Sequence, residues 1–232
     1  MQIKSSRKKG VLVRRYKRFL ADVELPGGEV ITVHCPNSGS MTGCSAPGSP
    51  VVITYSGNPK RKYSWTLEMV YQDDVWIGVN TSLTNKLVRE GLELGLIDDF
   101  GHLDAIVAEV RVSEKSRLDF LLRTLEGAQT YLEVKNCSLV NDRVAYFPDA
   151  VTARGTKHLE ELRLLREQGR GSAVLFVVQR GDGEVFRPAA HIDGFYDEIL
   201  KKVARAGVRV LAYRADVSEE QIVIAKKIPC EL

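Results

Sequence analysis

Arg117-Leu118-Asp119-Phe120-Leu121-Leu122 and Tyr131-Leu132-Glu133-Val134-Lys135 are two short apolar runs, each of strand length and each carrying an acid that a purely structural strand would not need. Side chains alternate across a strand, so Glu133 and Lys135 share one face while Leu132 and Val134 share the other. Burying an unpaired carboxylate is costly. Two of them on neighbouring strands call for a cation or a set of hydrogen bonds. A hard divalent ion such as Mg²⁺ or Mn²⁺ takes carboxylate oxygens, and an adjacent lysine can hold a scissile phosphate or orient water. The competing reading is a Glu–Lys pair at a strand edge beside an aspartate that shapes a turn.

Working outward, the flanking segments alternate in type. Residues 81–95 read as a helix capped by Thr81 or Ser82, with Leu83, Leu87, Gly91 and Leu94 on one face. Residues 106–112 read as a strand, and Ser113-Glu114-Lys115-Ser116 as a turn into the Asp119 strand. Residues 155–168 read as a helix with Leu159, Leu162 and Leu165 inward. The run Ala173-Val174-Leu175-Phe176-Val177-Val178 is wholly apolar, as expected of a central parallel strand. A helix over 193–206, closed by Gly207, and a strand over 208–213 complete the series. This order, with Asp119 on the second strand and Glu133-Val134-Lys135 on the third, resembles the PD-(D/E)XK nuclease core. That resemblance implies Asp119, Glu133 and Lys135 as catalytic residues, with the two acids as metal ligands. Glu90 on the first helix and Glu109 on the first strand are candidate further acids, Glu90 ahead of Glu109 because this fold often takes one from its first helix; for each, a surface salt bridge is the leading alternative reading.

Residues 1–80 differ in kind. About five short strands, with Pro26-Gly27-Gly28 as a turn and no helical period, predict a small OB-like β-barrel. The region holds 11 Lys/Arg against 6 Asp/Glu, whereas residues 81–232 hold 22 against 24. Two basic clusters, Arg14, Arg15, Lys17 and Arg18, then Lys60, Arg61 and Lys62, are interleaved with Tyr16, Phe19, Tyr63 and Trp65. Cations for phosphates beside flat rings for bases form the pattern of nucleic-acid binding that tolerates single strands. The expected architecture is therefore mixed α/β: an OB-like barrel over 1–80 for nucleic acid, then a nuclease-like α/β domain over 81–232.

Four cysteines without a C-x-x-C pair, no apolar leader and no membrane-length run predict a cytoplasmic protein with reduced thiols and no membrane partner. Cys35 and Cys44 read as buried anchors of a Gly/Ser-rich loop. No Walker or Rossmann glycine pattern appears, so no nucleotide cofactor is expected.

Longer motifs extend the resemblance across the chain. They are Arg15-Tyr16-Lys17-Arg18-Phe19-Leu20-Ala21-Asp22-Val23, His34-Cys35-Pro36-Asn37-Ser38-Gly39-Ser40-Met41-Thr42-Gly43-Cys44, Ser116-Arg117-Leu118-Asp119-Phe120, Glu133-Val134-Lys135 and the segment from Tyr146 to Leu162. Together they are similar to the sugar fermentation stimulation protein A family. The resemblance implies a prokaryotic DNA-binding protein with a link to sugar-utilisation genes; an active Mg²⁺- or Mn²⁺-dependent DNA nuclease is the alternative. Arg154, Lys157 and His158 stand at a helix start, where free N–H groups and the dipole attract phosphate. Asp149 either points into the same cleft or shapes its turn.

Overall fold

The computed structural model describes residues 1–3, 6–114 and 116–232, so Lys115 of the expected turn lies outside the described residues. The basic N-terminal region forms β1 (Arg7–Tyr16), β2 (Leu20–Glu24), β3 (Val30–His34), β4 (Pro50–Tyr55), β5 (Trp65–Gln72) and β6 (Val75–Gly78). The sheet runs β3-β2-β1-β4-β5-β6 and curls until β3 meets β5 in parallel at His34 and Thr66. Strands β1, β2, β3, β5 and β4 thereby close a ring, the OB arrangement expected from the sequence. Its tight hairpins are made by non-glycine pairs in the left-handed region: Lys17-Arg18 between β1 and β2, and Asp73-Asp74 between β5 and β6.

A 3-10 turn (Thr81–Leu83) and α1 (Thr84–Glu93) follow, then β7 (Leu103–Ser113), β8 (Ser116–Thr124), β9 (Gln129–Cys137), β10 (Leu139–Asn141), β11 (Val144–Phe147), α2 (Ala153–Glu167), β12 (Gly171–Val178), β13 (Val185–Pro188), α3 (Gly194–Arg205), β14 (Arg209–Val217) and β15 (Ile222–Ile228). The large sheet has the order β15-β14-β12-β9-β8-β7. β9, β12 and β14 are parallel, and β7, β8 and β15 extend the sheet antiparallel at its two ends. β12 is the fully apolar run, buried between its two parallel neighbours. A small sheet of β10, β11 and β13 lies beside it.

The expected helix over 81–95 is shorter than its pattern. Asn80 rather than Thr81 or Ser82 provides the cap, accepting from the Ser82 N–H, and only the 3-10 turn intervenes before α1. Leu87, Val88, Gly91 and Leu92 face inward, while Leu94 lies beyond the helix and 65% exposed. The alternation of β4 then joins the two halves. Val51 and Ile53 fill the barrel interior, whereas Val52 and its cross-strand partner Met69 pack with α1 and the large sheet. Fully burying such side chains stabilises by about 1.5–3 kcal/mol each, so barrel and sheet hold one another.

A second seam lies at the loop 36–44. Met41 N–H and Ser40 Oγ donate to the Asp149 carboxylate and carbonyl at 3.0 and 2.5 Å. A Cβ on Gly39 would stand 2.5 Å from Asp149 Oδ2, so only glycine allows this approach. Gly39→Ala is expected to destabilise by about 1–3 kcal/mol, as overpacking does. It should do so by much less in an Asp149→Ala background, which thermal denaturation of the double-mutant cycle measures. Equal losses in both backgrounds would place the strain elsewhere.

Candidate functional site

The β8–β9 ladder ends at the pair Phe120–Leu132, and Asp119 and Glu133 are the next residue of each strand beyond it. Both carboxylates thus stand together where the two strands part. Asp119 Oδ1 accepts from Asn85 Nδ2 of α1 and Oδ2 from the Val134 N–H, each at 2.7 Å. Glu133 is 3% exposed, and its Oε1 accepts from Lys135 Nζ at 2.6 Å and pairs with His158 Nδ1 of α2. Glu133 Oε2 is buried with no partner among the described residues.

These surroundings drive the two acids apart electrostatically. Burial, then the charge of Glu133, pushes Asp119 above the usual carboxylate range. Burial pushes Glu133 up as well, but His158 and Lys135 outweigh it and hold the group below that range. The donor set suits a small hard cation: two adjacent carboxylates, one presenting an oxygen that nothing else satisfies. Among the described residues no group of three His, Cys, Asp or Glu could enclose an ion. A cation here would therefore keep water or substrate oxygens in its shell, as Mg²⁺ habitually does.

The acids stand in a cleft of about 640 Å³ between barrel and sheet. Arg18, Asn37 and Gly39 line it from the barrel side; Asn85, Glu109, Asn136, Asp149 and Arg154 line it from the rest of the chain. Asp149 thus does both things the sequence left open, lining the cleft and tying down the loop. Of the two candidate extra acids, Glu109 lines the cleft and Glu90 does not. Glu90 instead meets the Met1 ammonium at 2.5 Å, which reverses the sequence preference. The first helix supplies an amide, Asn85, where an acid was expected. Glu109 sits mid-strand at φ 56°, a conformation rare for non-glycine residues and frequent at functional sites.

The basic residues divide. Lys17, Arg18, Lys60, Lys62, Arg154 and Lys157 are exposed. Arg14 is bound to Asp22 at 2.8 Å and lies over Tyr16. Arg15 donates to the carbonyls of Arg18, Asn37, Gly39 and Ser40, so it ties down the cleft loop and does not face solvent anions. Arg61 reaches Thr66 Oγ1 and His34 Nδ1. His158 is buried against Glu133, not turned to a phosphate as its place at a helix start predicted. Asn85 and the partner of His158 escaped the sequence reading, since nothing local marks a contact made by helix packing.

Residues 13–79 match the family model of the SfsA N-terminal OB domain. Residues 82–221 match that of the sugar fermentation stimulation protein RE domain. The sugar fermentation stimulation protein homolog of Pelobacter propionicus is 52% identical over 221 residues, covering 95% of both chains. That of Desulfotalea psychrophila is 50% identical over 206 residues, 89% of this chain and 87% of the relative. The solved structure of Pyrococcus furiosus SfsA in complex with Ca²⁺ superimposes with a TM-score of 0.91 at 25% identity, covering 100% of this chain and 98% of that one.

Proposed function

Since the chain belongs to the sugar fermentation stimulation protein family, we propose that it binds DNA and hydrolyses phosphodiester bonds with the help of a divalent cation held by Asp119 and Glu133. The observation that carries this reading is Glu133 Oε2, a buried carboxylate oxygen with no partner among the described residues, on the strand neighbouring Asp119. The Ca²⁺ in the Pyrococcus furiosus relative supports a divalent requirement. A bound Mg²⁺ or Mn²⁺ would stabilise charge on a phosphate and acidify water. The chain's own residues set the stage for it. His158 and Lys135 hold Glu133 ionised and fix its Oε1, leaving Oε2 for the site. Lys135, beside the acids, is placed to turn its ammonium to a substrate phosphate oxygen. Arg18 and Arg154 face the cleft from opposite walls and would bind the flanking backbone.

Promoter recognition is the weaker reading of DNA binding here. Among the described residues strands separate each α-helix from the next in sequence, so no helix-turn-helix pair forms. Among the described residues no helix is long and apolar enough to cross a membrane. The four free thiols support a cytoplasmic site of action as part of this reading.

Incubating plasmid and single-stranded DNA with the protein in Mn²⁺, Mg²⁺ or EDTA tests the reading. Cleavage is expected with either cation and not in EDTA; DNA binding without cleavage in every condition would leave a DNA-binding scaffold. A second expectation concerns the barrel. Replacing the exposed Lys17, Arg18, Lys60 and Lys62 with Ala should lower the slope of log affinity against log salt by about 0.7 for each single-strand phosphate no longer neutralised. Replacing Arg14 and Arg61, which are committed to Asp22 and His34, should change that slope little. Indistinguishable slopes for the two sets would remove the barrel from the binding surface.

A further inference from the structure

Beyond the acids the cleft continues into a second groove of about 620 Å³, between the β7–β8 hairpin and the first turns of α2. Glu109, Asp119 and Arg154 line both spaces and so mark the junction. Arg111, Ser116, Arg117 and Lys157 line only the second. The hairpin is fastened to the helix by Ser113 Oγ donating to Glu161 Oε1 at 3.2 Å.

Two features of this groove have no explanation within the chain. Arg111 and Arg117 are directly paired in the β7–β8 ladder. Directly opposed residues share a face with Cβ atoms about 4.5–5.5 Å apart, and like charges so placed are destabilising. Arg111 leans onto the carbonyls of Ser113 and Glu114, whereas Arg117 is exposed and makes no ion pair among the described residues. The second feature is Ser116, 6% exposed, whose Oγ has no hydrogen-bond partner among the described residues. A buried hydroxyl without a partner and an exposed arginine opposed by another, both lining one groove beside the first turns of a 15-residue helix, leave the groove short of an anion.

We propose that this groove is a second phosphate subsite, formed by Ser116, Arg117, Arg154 and Lys157, which binds a phosphate of the substrate strand next to the one placed at Asp119 and Glu133. It rests on the proposed phosphodiester hydrolysis for its role, but not for its chemistry, which is that of a phosphate monoester or diester. Glu109 and Asp119 stand at the junction with the cleft; beyond it the groove sets Arg111, Arg117 and Lys157 against one acid, Glu114, so positive charge predominates there. A strand lying in both spaces would be held on either side of the scissile bond. The subsite would therefore favour substrates that extend past the cleavage position. The phosphate it takes is either internal or a strand terminus, and the two are separable.

The test measures binding of a short single-stranded oligonucleotide, with and without a 5′-phosphate, to the full chain and to Arg117→Gln, Arg117→Lys and Ser116→Ala. Each is measured in EDTA and in Ca²⁺, with Mn²⁺ calorimetry alongside. Loss of one charge-assisted hydrogen bond should weaken Arg117→Gln about tenfold and lower its salt slope by about 0.7, the share of one neutralised phosphate, with Arg117→Lys retaining the slope. Mn²⁺ affinity should be unchanged. Equal weakening of both oligonucleotides assigns an internal phosphate; loss of a preference for the phosphorylated one assigns a terminus. Wild-type affinity and slope in folded Arg117→Gln and Ser116→Ala would overturn the subsite. Absence of Mn²⁺ binding and cleavage in the wild type would overturn the hydrolytic reading instead, while the EDTA measurements still decide the groove.

Discussion

Glu133→Gln is expected to abolish divalent-cation binding and to lower phosphodiester hydrolysis by about a thousandfold, the several kcal/mol that such an ion contributes to the transition state. The substitution keeps the shape but removes the charge from a side chain that Lys135 and His158 are arranged to hold ionised. Asp119→Asn should have a similar effect on cation binding and the opposite one on apo stability. The folded-state pKa of Asp119 is raised by burial and by Glu133. Its contribution to stability is therefore full below the unfolded carboxylate pKa and is lost as pH rises through the folded value. Near neutral pH the ionised Asp119 opposes folding, and an amide that accepts from the Val134 N–H and donates to a turned-over Asn85 carboxamide relieves this. Thermal denaturation in EDTA should find Asp119→Asn at least as stable as the wild type. In Ca²⁺ the order should invert, because only the wild type gains the binding free energy, about 2.7 kcal/mol at a hundredfold excess over Kd. A wild type that Ca²⁺ and Mn²⁺ fail to stabilise would remove the cation from the site.

What the sequence could and could not convey follows from the range of each signal. The placing of Asp119 against Glu133 and Lys135 rests on the two-residue period of β8 and β9, a local rule legible in any strand. β12 was equally plain, because a strand buried on both faces needs no polar alternation. β15 was not. As an edge strand it carries Lys226-Lys227 just before its last residue, Ile228, and such charges guard sheet edges while hiding the apolar period. β13 is four residues long and ends in proline, below the length at which any period shows. Within the site, Asn85 and His158 reach the carboxylates from α1 and α2, and where a helix lies on a sheet is decided by packing across the whole core. Choosing Glu109 over Glu90 likewise required knowing that β7 carries a positive-φ residue at its centre, with no glycine to announce it.

Arg180→Ala is expected to give the largest loss of stability of any single polar substitution, about 3–5 kcal/mol. Arg180 is 1% exposed just past the end of β12. Its Nε and Nη2 donate to the two oxygens of Asp182 at 2.6 Å each, its Nη1 to the Ser138 carbonyl at 3.2 Å, and Nη2 lies 3.6 Å from Asp73 in the β5–β6 hairpin. The Ile77–Arg180 bridge and the Gly78 N–H to Gln179 carbonyl bond run alongside, so this guanidinium stands where the barrel meets the large sheet. Removing it leaves a part-buried Asp182 without its bidentate partner and the carbonyl of buried Ser138 without this donor. Against a total stability of about 5–15 kcal/mol, the loss should lower Tm by on the order of 10 °C. Arg180→Lys keeps the charge but not the fork, so it should fall between wild type and Ala. The Asp73 contact decides how the loss divides. Asp73 is 61% exposed, and an ion pair so open to solvent contributes about 0–1 kcal/mol. Asp73→Ala should therefore be nearly silent and Asp182→Ala severe. If Asp73→Ala proved as damaging as Arg180→Ala, the seam would depend on the hairpin reaching across, not on the arginine fixed from within.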